Sequence, residues 1–175
     1  MPVTRWVMDV SAPTGILKLC DYYIYSYVPM APTDSCFALV YFTPYNLGER
    51  LGSLLAQVAP GEIRKLEVTL YGTFKDLQAQ PILQATVAGA LKVADPGITF
   101  VNAMSRADAR GVDTALAASS STPRHANLMG VRITTSDTEL AVAGTLFGEG
   151  QLRLVEIDGI PVDAVLHGHI PAIKN

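Results

Sequence analysis

The chain has 175 residues, enough for one compact domain with a real core plus a flanking segment. Apolar residues make up 49% and charged ones 17%, which excludes wholesale disorder, and a net charge of −3 argues against a nucleic-acid binder with a basic face. No apolar run reaches the roughly 18–20 residues needed to span a bilayer, and no secretory signal pattern opens the chain. These features predict a soluble, cytoplasmic protein with neither nucleic acid nor membrane as partner.

Residues 1–44 read as a poorly specified N-terminal arm. They hold Cys20, Cys36, the only Trp and the cluster Tyr22, Tyr23, Tyr25 and Tyr27, with few charges and no sustained period. Tyr22 to Val28 suits a short strand, and Pro2, Pro13, Pro29, Pro32 and Pro44 break up its surroundings. Two cysteines without a CxxC or HExxH pattern predict a reduced, unreactive pair and no metal site.

From Pro44 onward the pattern sharpens. Leu47, Leu51, Leu54, Leu55 and Val58 form one face of an amphipathic helix that Pro60-Gly61 stops. Leu66, Val68 and Leu70 alternate with Lys65, Glu67 and Thr69 as a half-buried strand. A second helix is expected from Gln80-Pro81 to Asp95-Pro96-Gly97. Ile98 to Asn102 reads as a short strand, Ala103 to Arg110 as a short helix closed by Gly111, and Val112 to Ala118 as a strand. After the polar loop Ser119 to Arg124 come four strands: Asn127 to Thr135, Glu139 to Phe147, Gln151 to Ile157, and Ile160 to Leu166 across an Asp158-Gly159 hairpin turn. Two principal helices on one face of a mostly antiparallel sheet make an α+β fold.

Four segments carry a family resemblance. Pro44 to Gly52 is similar to a "PY..LAEKLG" helix, and Phe100 to Ala103 with Ala109 to Val112 to a "VNAP…AKERGI" stretch. Ala143 to Gly148 matches a "GTLFG" strand end. Leu154 to Gly159, with Val162-Asp163, Gly168-His169 and Lys174-Asn175, resembles "IV.IDG..VD…GH.L.I.N". In this order they resemble the intervening, or allosteric-substrate-binding, domain of type 1 D-3-phosphoglycerate dehydrogenases, NAD-dependent enzymes of serine biosynthesis.

The resemblance implies that residues 45–175 are that regulatory middle domain, without the catalytic core and the ACT domain. It implies homo-oligomerisation or packing against the parent enzyme's other domains. The chain carries no GxGxxG after a strand, so no cofactor is expected here and NAD belongs to the parent enzyme. No catalytic residue is expected either.

In some family members this domain binds an anion taken to be the phosphorylated substrate. Such a site needs cationic side chains converging on a phosphate. The candidates are Arg110, Arg124, His125 and Arg132. Alternation along its strand puts Arg132 on the more polar face, opposite Met129, Val131 and Ile133. Ala117-Ala118 stands where family members often carry a Lys, which weakens the anion reading.

His167 and His169, two apart, fit a structural role better than a shared metal on one strand face. Ser119 to Ser121 lack a GxSxG elbow and read as loop. Gly144, Gly148 and Gly150 read as turns and bulges rather than a phosphate loop.

Two functions follow. One is a ligand-binding regulatory domain whose effector is phosphate or a phosphorylated three-carbon acid. The other is a structural or oligomerisation module that binds nothing small. Convergence of the arginines in one concave patch favours the first, and their dispersal the second.

Overall fold

The computed structural model describes residues 4–9, 35–119, 125–148, 150–167 and 169–174, with side chains at 44–119, 125–148 and 150–167. Its strands are β1 (Thr4–Asp9), β2 (Ile63–Gly72), β3 (Asp113–Ser119), β4 (Asn127–Thr135), β5 (Glu139–Phe147), β6 (Gln151–Ile157), β7 (Ile160–Val165) and β8 (His169–Lys174). Its helices are α1 (Ser35–Val58), α2 (Ala79–Lys92) and α3 (Ala103–Ala109), with a 3-10 turn at Thr73–Asp76. The expected strand at Tyr22 to Val28 lies outside the described residues.

Six strands form one sheet in the order β3-β2-β4-β5-β6-β7, and β1 pairs with β8 separately. Every pairing in the large sheet is antiparallel except β2 with β3. That exception follows from the chain between them, where two helices carry it back to the same end of the sheet as a crossover must. The arrangement is α+β, with a mostly antiparallel sheet.

The alternation read from the sequence sets the inner face. Leu66, Val68 and Leu70 of β2 stand in register with Ile133, Val131 and Met129 of β4. Val142 and Gly144 of β5 continue the rows opposite Val131 and Met129. Leu47, Leu51, Leu54 and Leu55 of α1 pack onto this face and are almost wholly buried. Gly144 marks the closest approach: a Cβ there would lie 2.8 Å from Leu47 Cδ1 and 3.1 Å from Arg153 O.

The two long helices also knit to each other. Gly48 and Gly52 of α1 face Thr86 of α2, and the bare α-carbon of Gly89 lies on the main chain of Glu49. Small residues on both helices let the backbones meet. The Thr86 hydroxyl turns inward to donate to Ile82 O at 2.9 Å, so its polar atom is satisfied in the seam.

Two local expectations are corrected. The helix expected from Pro44 begins at Ser35, and Pro44 lies inside it. Between Ser35 and Pro44 the sequence offers neither Gly nor Pro to stop a helix, and Pro44 removes only one backbone donor from the ladder. Ile98 to Asn102 is a turn rather than a strand. Asn102 Oδ1 accepts from Thr99 N at 2.7 Å and Asn102 Nδ2 donates to Gly97 O at 3.1 Å, closing the segment on itself ahead of α3. Ile98 alone of these residues is buried, as a plug into the core.

The turn readings hold. Gly111 takes φ +68° after α3, and Val112 N reaches back to Ala107 O at 3.0 Å. Asp158 and Gly159 both have positive φ, 49° and 77°, as a two-residue hairpin of the primed type requires. Gly148 and Gly150 also adopt positive φ at the β5–β6 connection. Among the described residues no helix is long and apolar enough to cross a membrane.

Candidate functional site

The cationic residues singled out in the sequence occupy separate parts of the fold. Arg110 ends α3, where its Nη2 contacts Asp95 Oδ2 at 2.7 Å, just beyond α2. Arg132 stands on the outer face of β4, where its Nη1 contacts Glu139 Oε1 at 2.7 Å on β5. Both pairs are about half exposed or less, and pairs of this kind are individually worth about 1 kcal/mol or less. Arg124 lies outside the described residues.

The surroundings of Arg132 are acidic. Glu67 is its register partner on β2 and already holds Lys65 at 3.0 Å. The Lys65 ammonium is held above its ordinary range by the hydrogen bond and charge of Glu67, with smaller contributions from Asp113 and Glu139. Three carboxylates and two cations make this end of the outer face a mixed-charge cluster, a poor place to hold an additional anion.

His125 lies two residues before the start of the same strand. Asn127 and Arg132 are five positions apart, about 17 Å of extended chain. His125, Asn127, Thr145, Phe147 and Gly148 line an open cleft of about 210 Å³. That is below the roughly 300–1,000 Å³ of drug-sized ligand sites, and suits an ion or a small acid.

The cleft wall is built by one side-chain network. Thr145 Oγ1 donates within bonding distance of Asn127 O (2.7 Å) and Asn127 Oδ1 (2.6 Å), and Leu146 N donates to that same Oδ1 at 3.2 Å. With its oxygen thus engaged, the Asn127 amide nitrogen is the remaining donor of that side chain. Thr145 itself is 2% exposed, so the pairing is fixed by packing as well as by bonds. Phe147 is 60% exposed, and the Arg153 guanidinium stacks 5.5 Å from its ring centroid. Arg153 Nη1 also contacts both oxygens of Asp163, at 2.5 and 2.7 Å.

The sequence reading did not single out Arg153. Its signal was the alternation of β6, which sets Arg153 opposite Thr145 and therefore on the cleft's face of the sheet. Glu49 and Arg50 were also missed as buried charges, at 3% and 9% exposure. Their signal was Gly48 and Gly52, four apart: a helix with small residues on a second face is packed on that face too.

Glu49 Oε1 lies 3.9 Å from Lys92 Nζ, while Oε2 has no hydrogen-bond partner among the described residues. Burial raises the Glu49 carboxyl from its ordinary 4.5 to about 7, against the opposing charges of Lys92 and Arg50. Arg50 Nη1 donates to Leu166 O at 2.7 Å; burial lowers its pKa and the Glu49 charge partly restores it. These residues lie in the seam of α1 and at the end of β7 rather than in the His125 cleft, so they read as structural groups rather than an acid–base pair for chemistry.

His167 does not share a strand with His169. It lies in the bend before β8, its N–H donating to Val165 O at 2.9 Å, and β8 begins at His169. The shared strand face considered for the two histidines is therefore not formed. Among the described residues no three His, Cys, Asp or Glu side chains are grouped as metal ligands.

Residues 41–158 match the family model described as the D-3-phosphoglycerate dehydrogenase intervening domain. Curated relatives named D-3-phosphoglycerate dehydrogenase agree. The Synechocystis sp. protein is 28% identical over 141 residues, covering 74% of this chain and 26% of the relative. The Bacillus subtilis protein is 28% identical over 134 residues, covering 75% and 26%. The Archaeoglobus fulgidus protein is 27% identical over 139 residues, covering 79% and 26%. The chain thus spans about a quarter of the length of these relatives. It belongs to the D-3-phosphoglycerate dehydrogenase intervening-domain family.

Proposed function

We propose that this domain is a regulatory element of a D-3-phosphoglycerate dehydrogenase of serine biosynthesis, binding phosphate or a phosphorylated three-carbon acid and performing no chemistry alone. The observation that carries the reading is the His125 cleft. It joins the His125 imidazole and the Asn127 amide beside a glycine turn in a concavity of small-acid size. Of the anion candidates His125 lines this cleft, and Arg124 is adjacent to it in sequence. An imidazole beside a side-chain amide offers hydrogen-bond donors to a carboxylate or phosphate oxygen.

On this reading the dinucleotide is held by other domains of the parent enzyme. Strand β2 runs into Gly72 and a 3-10 turn before α2, with no glycine-rich turn opening a helix onto a pyrophosphate. No step of hydride transfer is assigned to these residues.

Calorimetric titration with 3-phosphoglycerate and with inorganic phosphate tests the reading. Saturable binding weakened tenfold or more by His125→Ala, and unchanged in Arg132→Ala, is the expected result. No heat at millimolar ligand would remove it. The structural-module reading would then lead, supported by the separation of Arg110 from Arg132 and the carboxylate partner each already has.

A further inference from the structure

The carboxyl group of Glu49 is held where it stands. The backbone carbonyl of Glu49 lies against the bare α-carbon of Gly89, so neither helix can slide to carry the side chain into water. Glu49 is 3% exposed, and its Oε2 is buried with no hydrogen-bond partner among the described residues. Its Oε1 lies 3.9 Å from Lys92 Nζ, about 1 Å longer than a charge-assisted hydrogen bond. Lys92 is the last residue of α2, and its side chain is 35% exposed on a flexible four-carbon stem. The ammonium therefore has both the reach and the freedom to close that distance.

Among the described side chains, few other charges face this carboxyl. Lys92 is the one ionisable residue of α2. Arg50 follows on α1, but its Nη1 is committed to Leu166 O at 2.7 Å. The strands beneath α1 turn Met129, Val131 and Ile133 of β4 and Val142 of β5 inward, and hold Arg132 and Glu139 on the opposite face. Strand β1, which also packs against α1, carries Arg5 and Asp9. Burial outweighs the charges of Lys92 and Arg50 and raises the carboxyl to about 7, so its change of charge falls near neutral pH.

We infer that Glu49 is a proton-operated latch on the α1–α2 seam: ionised, it draws the Lys92 ammonium onto Oε1 and ties the last turn of α2 to α1, and protonated, it lets that turn go. The proton leaves to solvent, and what remains is a buried carboxylate with an empty oxygen. Such a group attracts a nearby cation far more strongly than the neutral acid does. The latch acts on the end of α2, where Ala94 N and Asp95 N share Leu91 O at 3.2 and 3.1 Å and Asp95 holds Arg110 at the end of α3. The proton state of the seam is thereby passed to the junction of α2 and α3. This inference does not depend on ligand binding at the His125 cleft.

The test is an NMR titration of the isotopically labelled 175-residue chain. The Glu49 carboxyl signal should titrate with a midpoint near 7, and the signals at the end of the Lys92 side chain should move with the same midpoint. Corrected for the intrinsic rate, hydrogen exchange at the Ala94 and Asp95 amides should slow severalfold as pH rises through that midpoint, although global stability declines. Glu49→Gln and Lys92→Met should each abolish the slowing. Lys92→Met should also raise the Glu49 midpoint by about half a pH unit or more. Arg5→Met and Asp9→Asn should move it less. A Glu49 midpoint in the ordinary glutamate range would overturn the inference, as would Lys92 signals that stay flat while Glu49 titrates. A midpoint moved more by Arg5→Met or Asp9→Asn than by Lys92→Met would overturn it too, since the carboxyl would then answer to β1. If Glu49→Gln fails to fold, Lys92→Met still decides, because it alters only a partly exposed side chain.

Discussion

The α-carbon of Gly89 rests directly on the backbone carbonyl of Glu49, so that α1 and α2 touch main chain to main chain. Gly52 meets Thr86 O in the same way one turn further along α1. A methyl group at either glycine would collide with backbone rather than with a flexible side chain. Gly89→Ala gains about 1 kcal/mol of helix propensity. Overpacking a closed contact costs typically 1–3 kcal/mol and more where backbone must move. The expected net result is a loss of roughly 2 kcal/mol, read as a lower urea midpoint. An unchanged or higher midpoint would show that the helices can part without cost.

Glu49 gives the fold a dependence on pH. Its carboxyl titrates near 7 in the folded chain and near 4.5 as an ordinary glutamate. Below pH 4.5 both states are protonated and the stability is fully present. As pH rises through 7, the unfolded chain releases this proton first and stability declines, levelling off once both states are ionised. The decline is on the order of 3 kcal/mol. Glu49→Gln removes it, so the variant should overtake the parent chain in stability at pH 8, and the difference should shrink toward pH 4.5. A pH-independent difference in unfolding free energy would contradict the assignment.

Much of this fold was legible because its strands obey a period of two. The boundaries of β4, β5 and β6 follow the alternation of Met129, Val131 and Ile133 and the turns at Ser136 and Asp158. The polar orientation of Arg132 followed from the same period. What alternation could not supply was partnership. Whether Arg110 and Arg132 converge depends on tertiary placement, and their carboxylate partners Asp95 and Glu139 come from other elements. Ile98 to Asn102 has strand-like composition, yet the local bonds of Thr99 and Asn102 compete successfully with a ladder. The burial of Glu49 and Arg50 was written in the glycines beside them, on a helix face that a search for apolar periodicity passes over.

Arg50 ties α1 to the end of β7, its Nη1 donating to Leu166 O across 116 positions of sequence. Arg50→Met keeps most of the apolar stem and removes the donor. Leu166 is buried, so its carbonyl then lacks this charged partner, and hydrogen bonds to charged groups are worth about 1.5–3 kcal/mol. The expected loss is about 2 kcal/mol, with faster hydrogen exchange concentrated around residues 164–167. The variant should also move the Glu49 titration upward, because one of the two cations that lower it is gone. Uniform acceleration of exchange across the whole sheet would instead mean that Arg50 supports the domain globally rather than this junction.

The β6–β7 hairpin is closed by Asp158, whose backbone N–H donates to Ala141 O at 2.8 Å and whose Oδ1 accepts from Ala141 N at 2.8 Å. One residue thus satisfies both main-chain groups of a residue on β5, and does so from a left-handed conformation with φ 49°. Asn tolerates that conformation and keeps the acceptor oxygen, so Asp158→Asn should be within about 0.5 kcal/mol of the parent. Asp158→Ala loses the acceptor and adds backbone strain, for an expected cost of about 2 kcal/mol. Gly159→Val places a β-branched residue at φ 77° and should cost at least as much. Urea midpoints of the three variants test the ranking. If Asp158→Ala proved as benign as Asp158→Asn, the side-chain bond to Ala141 would contribute nothing, and the turn would be held by its backbone geometry alone.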